Sequence, residues 1–317
     1  MLGAAGLGLG GRDALLSLPG WVVALAGLNL GVWSMLTLNL GPLALGMPYV
    51  LLVGSLLLAL LAGWWVGRRT ARNPEPQVFR LLLVALLVAR LAFVVGYFEH
   101  YRDELWRVVD IRDGGFIAWP GLLAALALGI WQARRDRELR KPLGVALAVG
   151  MLSWALGSFV WHSFEQGTRL PELALHDSRG VSVELTDYLG TPLVINLWAT
   201  WCPPCRREMP VLAEAQAQRG EVTFLFVNQG EGVDEVARYL DASGLELRNV
   251  LFDPRSRLGQ RVGSRALPTT LFYDAEGRQV GSHLGELSRA SLARALEALH
   301  EDAPYVGRQG PQAQTAR

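Results

Sequence analysis

The sequence predicts a multi-domain chain, in which an all-α membrane domain with several spans precedes a soluble α/β domain. Two observations support this division of the 317 residues. Residues 14 to 67 contain no Asp, Glu, Lys, Arg or His, whereas the chain after residue 168 has the mixed composition of a globular domain. In that second part, apolar runs of strand length alternate with segments of helical length, which indicates a sheet covered on both faces.

Four segments have the length and apolar composition of membrane spans, which require roughly 20 residues each. One of the four contains Arg90 near its middle. The uncharged stretch Ala14–Leu36 is a candidate fifth span, and it lacks the basic start and the cleavage site of a signal peptide. Met35 is an alternative start of the chain, so four or five spans remain open. The four segments are Met47–Gly67, Leu81–Phe98, Gly114–Ala133 and Leu143–Trp161.

The charges of the connecting loops predict the orientation of these spans. Residues 68–80 carry four arginines, and residues 134–141 carry four arginines and one lysine. Residues 99–113 carry three arginines against five acidic residues. By the positive-inside rule the first two loops are cytoplasmic and the third is outside. The chain after Trp161 is therefore expected in the periplasm, beyond a bacterial inner membrane.

Three stretches of the membrane half, Asn39–Leu45, Ala89–Tyr97 and Ile111–Gly121, resemble prolipoprotein diacylglyceryl transferases. The resemblance implies the fold of an enzyme that transfers a lipid to a cysteine. Where that family has a histidine within a glycine-rich run, this chain has Trp119. The later Gly-Arg-x-Gly-Asn stretch of the family has no counterpart either. We therefore interpret this half as an inactive relative that serves as an anchor or a docking surface.

Arg90 is the one cation of this half that matches the transferase pattern. A charge within a span is costly and is by default a functional hypothesis. The alternative is structural pairing, with a helix carbonyl or with a lipid phosphate. Because the histidine of the transferase family is absent, we favour the structural interpretation.

The second half is predicted to contain a link at 163–170, an α/β domain at 171–302 and a disordered tail at 303–317, after a membrane domain at 1–162. The short link should hold the α/β domain close to the membrane. The predicted strands are Val181–Leu185, Pro192–Trp198, Val222–Asn228, Val250–Phe252, Thr269–Tyr273 and Gln279–His283, and the predicted helices are Pro203–Gln218, Val233–Ala242, Arg255–Val262 and Ser288–His300.

Cys202 and Cys205 are the only cysteines of the chain, and they lie where a predicted strand gives way to a predicted helix. Free N–H groups and the macrodipole at a helix N-terminus favour a thiolate and lower the pKa of the thiol there. Cys205, one turn later, should face Cys202 and be more buried. Cys202 is thus the expected attacking thiol and Cys205 the expected resolving thiol, in a disulfide that the protein makes and breaks.

The segments Leu197–Pro210 and Arg265–Thr270 resemble the TlpA/ResA-like thiol-disulfide reductases, which have the thioredoxin fold. The resemblance implies that Pro268 follows a cis peptide bond and packs against the disulfide. It also implies that the backbone at Leu267 pairs with an extended substrate, and that Trp201 belongs to the same substrate-binding surface.

Glu208 occupies the position at which the TlpA-like branch has a glutamate that handles protons. Asn196 stands six residues before Cys202, where thioredoxin itself has a buried aspartate. The alternative role of Glu208 is a solvated helix carboxylate. We favour the catalytic role, because burial next to a thiol pair raises a carboxyl pKa into a useful range.

These features predict a periplasmic thiol-disulfide oxidoreductase, specifically a reductase, with no cofactor other than its own disulfide. The resemblance implies oxidised envelope proteins as substrates, such as apocytochrome c. The membrane half has no cysteine, so a separate membrane thiol reductant must recharge the domain. The net charge of +1 gives no indication of nucleic-acid binding. The five histidines are scattered and do not form a metal-binding pattern.

Three alternatives remain open at this point. The chain could be a lipoprotein diacylglyceryl transferase whose thioredoxin domain keeps the substrate cysteine reduced. It could be an oxidase or isomerase that donates its disulfide. A purely binding role is the weakest alternative, because both thiols of the pair are present.

Overall fold

The computed structural model describes residues 37–40, 43–68, 73–102 and 104–301. The candidate span Ala14–Leu36 and the predicted tail 303–317 lie outside these residues. Among the described residues, the membrane half has an antiparallel hairpin followed by four α-helices. Its elements are β1 Thr37–Leu40, β2 Leu43–Gly46, α1 Met47–Gly67, α2 Glu75–Gly96, α3 Ala118–Arg135 and α4 Arg140–Gly167.

The four helices form two close pairs, in which α1 packs along α4 and α2 packs along α3. Small residues allow the backbones to approach each other. A Cβ at Gly121 would overlap the carbonyl of Ala85, and a Cβ at Gly150 would lie 3.0 Å from the Cβ of Ala59. Packing through small residues is typical of helices in lipid, where no hydrophobic force drives helices together.

Three helices of the described residues are long and apolar enough to span a membrane: α1, α2 and residues Arg140–Glu165 of α4. They confirm three of the four predicted spans. The fourth, Gly114–Ala133, differs from the prediction. Its helix α3 begins only at Ala118 and ends in Arg134 and Arg135. Helix α3 is therefore less apolar than the other three and is not among the helices that could span a membrane by length and composition. Gly114 to Ile117 are not helical because they form part of the loop that surrounds Arg90.

Arg90 lies in the second half of α2, since that helix begins at Glu75, and its long side chain reaches the loop outside the helix end. The guanidinium donates to Asp113 at 2.9 Å, and both side chains are almost completely buried. This confirms the structural interpretation of Arg90, although its partners are an acid and a loop rather than a helix carbonyl or lipid. The further acceptors are the carbonyls of Arg107, Val108, Asp110 and Gly115.

The second half is a seven-stranded sheet with helices on both faces. The strand order is β4-β3-β7-β6-β5-β8-β9, with β5, β6 and β7 parallel and the remaining neighbours antiparallel. The strands are β3 Ala174–His176, β4 Ser182–Glu184, β5 Leu193–Trp198, β6 Thr223–Gln229, β7 Val250–Asp253, β8 Thr269–Tyr273 and β9 Gln279–Leu284. The helices are α5 Pro203–Gln218, α6 Val233–Ser243, α7 Arg257–Arg261 and α8 Arg289–Glu301.

Strand β5 is buried at every position, as expected for a strand at the centre of a sheet with two covered faces. Its side chains alternate between two cores. Val194 and Trp198 belong to the core that includes both cysteines, whereas Leu193 and Ile195 belong to the core on the opposite face. The predicted two-faced sheet is confirmed. The sequence analysis missed β3, because three residues are too few to show a period.

The segment 163–170, predicted as a link, is not a separate tether in the structure. Helix α4 continues to Gly167. Directly after it, the N–H of Leu170 donates to the carbonyl of Gly277 at 2.8 Å, and the N–H of Gln279 donates to the carbonyl of Thr168 at 2.8 Å. The residues that directly follow α4 therefore pair with the turn of the β8–β9 hairpin.

The α/β domain rests directly on the membrane half. The Ser282 hydroxyl donates to Glu165 of α4 at 2.6 Å, and the Arg294 guanidinium donates to the carbonyl of Phe116 at 2.7 Å. The α/β domain thus contacts the membrane half of the chain, and its closeness to the membrane itself stays a prediction.

We predict that Arg90→Ala destabilises the protein by about 3 kcal/mol, because it leaves the buried carboxylate of Asp113 without its charged partner. The measurement is the free energy of unfolding of the full chain in detergent. Arg80→Ala is the control, since Arg80 is an exposed arginine of the same helix. Equal stability of the two variants would contradict the prediction.

Candidate functional site

The two cysteines lie at the junction of β5 and α5. Strand β5 ends at Trp198, a turn follows in which the N–H of Cys202 donates to the carbonyl of Ala199 at 3.3 Å, and α5 begins at Pro203. Cys202 and Cys205 form a disulfide, with Cα atoms 5.3 Å apart. Cys202 is 3% exposed and Cys205 is 0% exposed, in the order that the sequence predicts.

Cys202 is the N-cap of α5, and its sulfur is the acceptor of a backbone amide. The N–H of Cys205 points to the Sγ of Cys202 at 3.3 Å. Because Pro203 and Pro204 have no N–H, the amide of Cys205 is the first one that the helix offers to this sulfur. The next amide, of Arg206, donates to the carbonyl of Cys202 instead. The helix end thus favours negative charge on Cys202 when the disulfide is reduced.

The turn before Cys202 is held by a carboxylate that the sequence analysis did not identify. Glu231, which is buried, accepts the N–H of Thr200 at 2.7 Å and also accepts the Thr200 hydroxyl. Asn228 at the end of β6 donates to the same carboxylate at 2.6 Å. The carboxyl ends of parallel strands β5 and β6 meet at one edge of the sheet, which is the signal that could have located Glu231. Trp201, the next residue, is 66% exposed.

Pro268 lies at the same edge of the sheet. The Leu267–Pro268 peptide bond is cis, as the resemblance implies. Strand β8 starts directly afterwards, and Thr269 pairs with Leu197 near the end of β5. Leu267 is half-buried and packs against the core that contains both cysteines. The structure therefore packs Leu267 against the core of the disulfide and places Pro268 at the same edge of the sheet, while Trp201 adjoins Cys202 in the chain with its side chain exposed.

Glu208 is completely buried one turn after Cys205, on the same side of α5. Its carboxyl group accepts the Asn196 side-chain N–H at 2.7 Å and the N–H of Leu287 at 2.9 Å. Burial raises the pKa of Glu208 to about 8, and the two hydrogen bonds offset only part of this increase. The carboxyl is thus mostly protonated near neutral pH, and a solvated helix carboxylate is not what the structure shows.

The two arginines after Cys205 have partners on the surface. The Arg207 guanidinium donates to Glu286 at 2.7 Å, and the Arg206 guanidinium lies 5.4 Å from the centroid of the Tyr239 ring. These contacts fit the interpretation of both side chains as an exposed helix face.

The membrane half contains an apolar cavity of about 550 Å³ between its helices. Within the described part of the chain, its lining has no histidine, arginine or lysine. Trp119, which replaces the histidine of the transferase family, lies outside this lining and is 66% exposed. Among the described residues, this lining therefore offers neither the histidine nor a cation that the transferase resemblance implies.

Comparison with known proteins agrees with this division of the chain. Residues 39–160 match the prolipoprotein diacylglyceryl transferase family, and residues 166–279 match the AhpC/TSA family. The thiol-disulfide oxidoreductase ResA of Geobacillus thermodenitrificans is 32% identical over 135 residues, which are 42% of this chain and 77% of that protein.

Two further ResA proteins match over nearly their whole length. The protein of Bacillus subtilis is 30% identical over 168 residues, which are 50% of this chain and 92% of the relative. The protein of Halalkalibacterium halodurans is 29% identical over 176 residues, which are 52% of this chain and 99% of the relative. With its disulfide, its cis-proline and its buried glutamate in one site, the chain belongs to the ResA family of thiol-disulfide oxidoreductases.

Proposed function

We propose that this membrane-anchored thiol-disulfide oxidoreductase works as a reductase of oxidised proteins in the periplasm. The observation that carries the proposal is the Cys202–Cys205 disulfide at the start of α5, one turn away from the buried Glu208. Cys202 is the attacking sulfur, and Cys205 and Glu208 supply the second thiol and the proton acceptor. Together these three groups are sufficient for a complete cycle of thiol-disulfide exchange.

The cycle begins with the reduced domain. The Cys202 thiolate attacks one sulfur of a substrate disulfide, so that the substrate S–S bond breaks and a mixed disulfide forms. Cys205 then gives its proton to the Glu208 carboxylate and attacks the sulfur of Cys202, so that the mixed disulfide breaks and the second substrate sulfur leaves as a thiolate. The two substrate thiolates take their protons from solvent. Two electrons pass to the substrate, and the domain is left with the Cys202–Cys205 disulfide.

The substrate is expected to lie over Trp201, Leu267 and Pro268. Trp201 supplies an exposed aromatic face next to Cys202. We propose that the backbone at Leu267 pairs with an extended chain of the substrate. No separate cofactor enters this scheme, since the redox group is the disulfide itself.

The reductant that recharges the domain must be another protein. All of the chain before Cys202 is free of cysteine, so the membrane half cannot relay electrons through thiols. We propose a separate membrane thiol reductant as the electron donor. We propose oxidised envelope proteins, apocytochrome c among them, as the acceptors.

The second candidate function is lipid transfer, and the match of residues 39–160 to the transferase family is the observation that favours it. The described lining of the cavity, without histidine or cation, speaks against it. The test is complementation of a bacterial strain depleted of its own transferase. We expect no rescue of growth, and rescue would establish the transferase alternative.

We predict a reduction potential at or below about −220 mV for the Cys202–Cys205 couple, because reductases of this chemistry must lie below their substrates. The measurement is titration of the full chain in detergent against a thiol redox buffer. Cys202→Ser is the control and should show no redox transition. A potential near about −120 mV would reverse the electron flow and make the protein an oxidase.

We predict that Glu208→Gln removes the pH dependence of thiol release. In the wild type the rate should rise through about pH 8, as the carboxyl loses its proton and can accept the proton of Cys205. The variant should be flat there and at least about tenfold slower above this pH. The measurement is the release of a chromogenic thiol from an aromatic disulfide. Glu214→Gln, an exposed glutamate of the same helix, is the control, and an unchanged profile for Glu208→Gln would remove Glu208 from the mechanism.

We predict that Cys202 reacts with a membrane-impermeant thiol reagent in intact, reduced spheroplasts, because the loop charges predict that the α/β domain lies outside. The chain needs no added cysteine for this test, since its two thiols both lie in that domain. The control is Arg137→Cys in a chain without Cys202 and Cys205, which should react only after the membrane is opened. Protection of Cys202 together with reaction of the control would contradict the predicted topology and put the α/β domain on the cytoplasmic side.

A further inference from the structure

The segment Gly285–Ser288, between β9 and α8, contacts the redox site through its first three residues. The N–H of Gly285 donates to the carbonyl of Pro268 at 3.0 Å, and the N–H of Leu287 donates to the carboxyl of Glu208 at 2.9 Å. Between them, the Glu286 side chain pairs with Arg207 of α5, as described above. One short segment thus holds the cis-proline, the surface of α5 and the buried carboxyl.

The fourth residue of the segment connects it to the membrane half. The Ser288 hydroxyl donates to one carboxylate oxygen of Asp113 at 2.9 Å. The other oxygen of Asp113 accepts from Arg90 at 2.9 Å and from the N–H of Gly115 at 3.1 Å. A continuous series of bonds therefore leads from Arg90 in α2 to Glu208 in α5, across 118 residues of sequence (208 minus 90).

The two ends of this series are shielded from water, and Ser288 between them is half-buried. Leu287 and Glu208 are 1% and 0% exposed, and Asp113 and Arg90 are 7% and 8% exposed. Hydrogen bonds in such surroundings are stronger than in water, and an unmade one is more costly.

The segment also has little freedom at its end. Ser288 precedes α8, and its hydroxyl accepts the N–H of Ser291 at 3.2 Å, as an N-cap does. Leu287 is adjacent to Ser288 in the chain, so the position of Ser288 determines where the amide of Leu287 points.

We propose that Asp113, held by Arg90, is a positioning residue of the redox site, which acts through Ser288 to keep the amide of Leu287 on Glu208. The membrane half is then a structural part of the redox centre as well as its anchor. The inference rests on the proposed function, because it concerns the proton acceptor of the same exchange cycle.

The expected consequence concerns the protonation of Glu208. The N–H of Leu287 favours the ionised carboxyl and lowers the pKa of Glu208, while the nearby carboxylate of Glu286 raises it. Four further ionisable groups lie around the segment. Arg207 neutralises Glu286, whose charge also acts on Arg112. The Tyr101 hydroxyl donates to the same Asp113 oxygen as Ser288, at 3.2 Å, and the His283 ring lies 3.3 Å from the Glu286 carbonyl. Burial lowers the pKa of His283, so that its ring stays neutral. Loss of the Leu287 bond should raise the pKa of Glu208 further.

Three variants of the full chain in detergent test the proposal. Ser288→Ala removes the hydroxyl. Ser288→Asp keeps a side chain that can cap α8 but places a carboxylate against Asp113. This variant therefore breaks the bond to Asp113 while it preserves the N-cap of the helix. Asp113→Ala breaks the same contact from the membrane side, and the two Ser288 variants remain decisive if this chain does not fold.

The chain offers a matched control in Ser282→Ala. Ser282, like Ser288, donates its hydroxyl to a carboxylate of the membrane half, at 2.6 Å to Glu165, but its bond is not part of the series that reaches Glu208. It therefore reports what is lost by weakening the domain contact alone.

The measurement is the pH profile of thiol release described for Glu208→Gln. We expect the inflection of the three variants to move upward by about half a pH unit or more, since a charge-stabilising hydrogen bond is weakened. Ser282→Ala should keep the wild-type inflection. The double variant Ser288→Ala/Asp113→Ala should shift no further than either single variant, because both remove the same link.

An inflection at the wild-type pH in both Ser288 variants overturns the proposal, and so does an equal shift in Ser282→Ala. If the wild type itself released thiol no faster than Cys202→Ser, the proposed function would fail and this inference with it. A normal wild type with unshifted variants would overturn only the inference.

Discussion

The buried ion pair between Arg90 and Asp113 is a constraint on both halves of the molecule. A guanidinium in a membrane helix must find acceptors, and Arg90 finds them in one carboxylate and in the carbonyls of the loop between α2 and α3. The loop is thereby drawn onto the end of α2. This loop then presents a defined surface on which the α/β domain packs. The pairing of one buried charge therefore also helps to position the redox domain.

The redox site itself depends on one junction of the sheet. Strand β5 carries the chain through the core and delivers Cys202 to the N-terminus of α5, where a helix dipole and one free amide meet the sulfur. Strands β6 and β8, on either side of β5, bring Glu231 and Pro268 to the same edge. The disulfide is therefore surrounded by groups from three adjacent strands, none of which could move without disturbing the central sheet.

Local signals in the sequence were enough to predict these elements and the two cysteines. An apolar run, a Cys-Pro-Pro-Cys motif and a proline that opens a strand each act over a few residues, and α5 and β8 have the predicted bounds. The partners of Arg90, Thr200 and Ser288 could not be predicted in this way. These pairs are 23, 31 and 175 residues apart, and only the packed fold brings them together. Helix α3 starts later than predicted for the same reason, since the residues before Ala118 contact Arg90.

Glu208 shows how stability and chemistry are coupled through burial. Its pKa, about 8, is above the ordinary value of a glutamate, so the folded protein binds this proton more tightly than the unfolded chain does. The contribution of Glu208 to stability is therefore complete below the usual glutamate pKa and is lost as the pH rises through about 8. At neutral pH the oxidised domain holds the proton beside Cys205. Because the amide of Leu287 sets part of this balance, the membrane half that fixes Ser288 also influences when the proton is released.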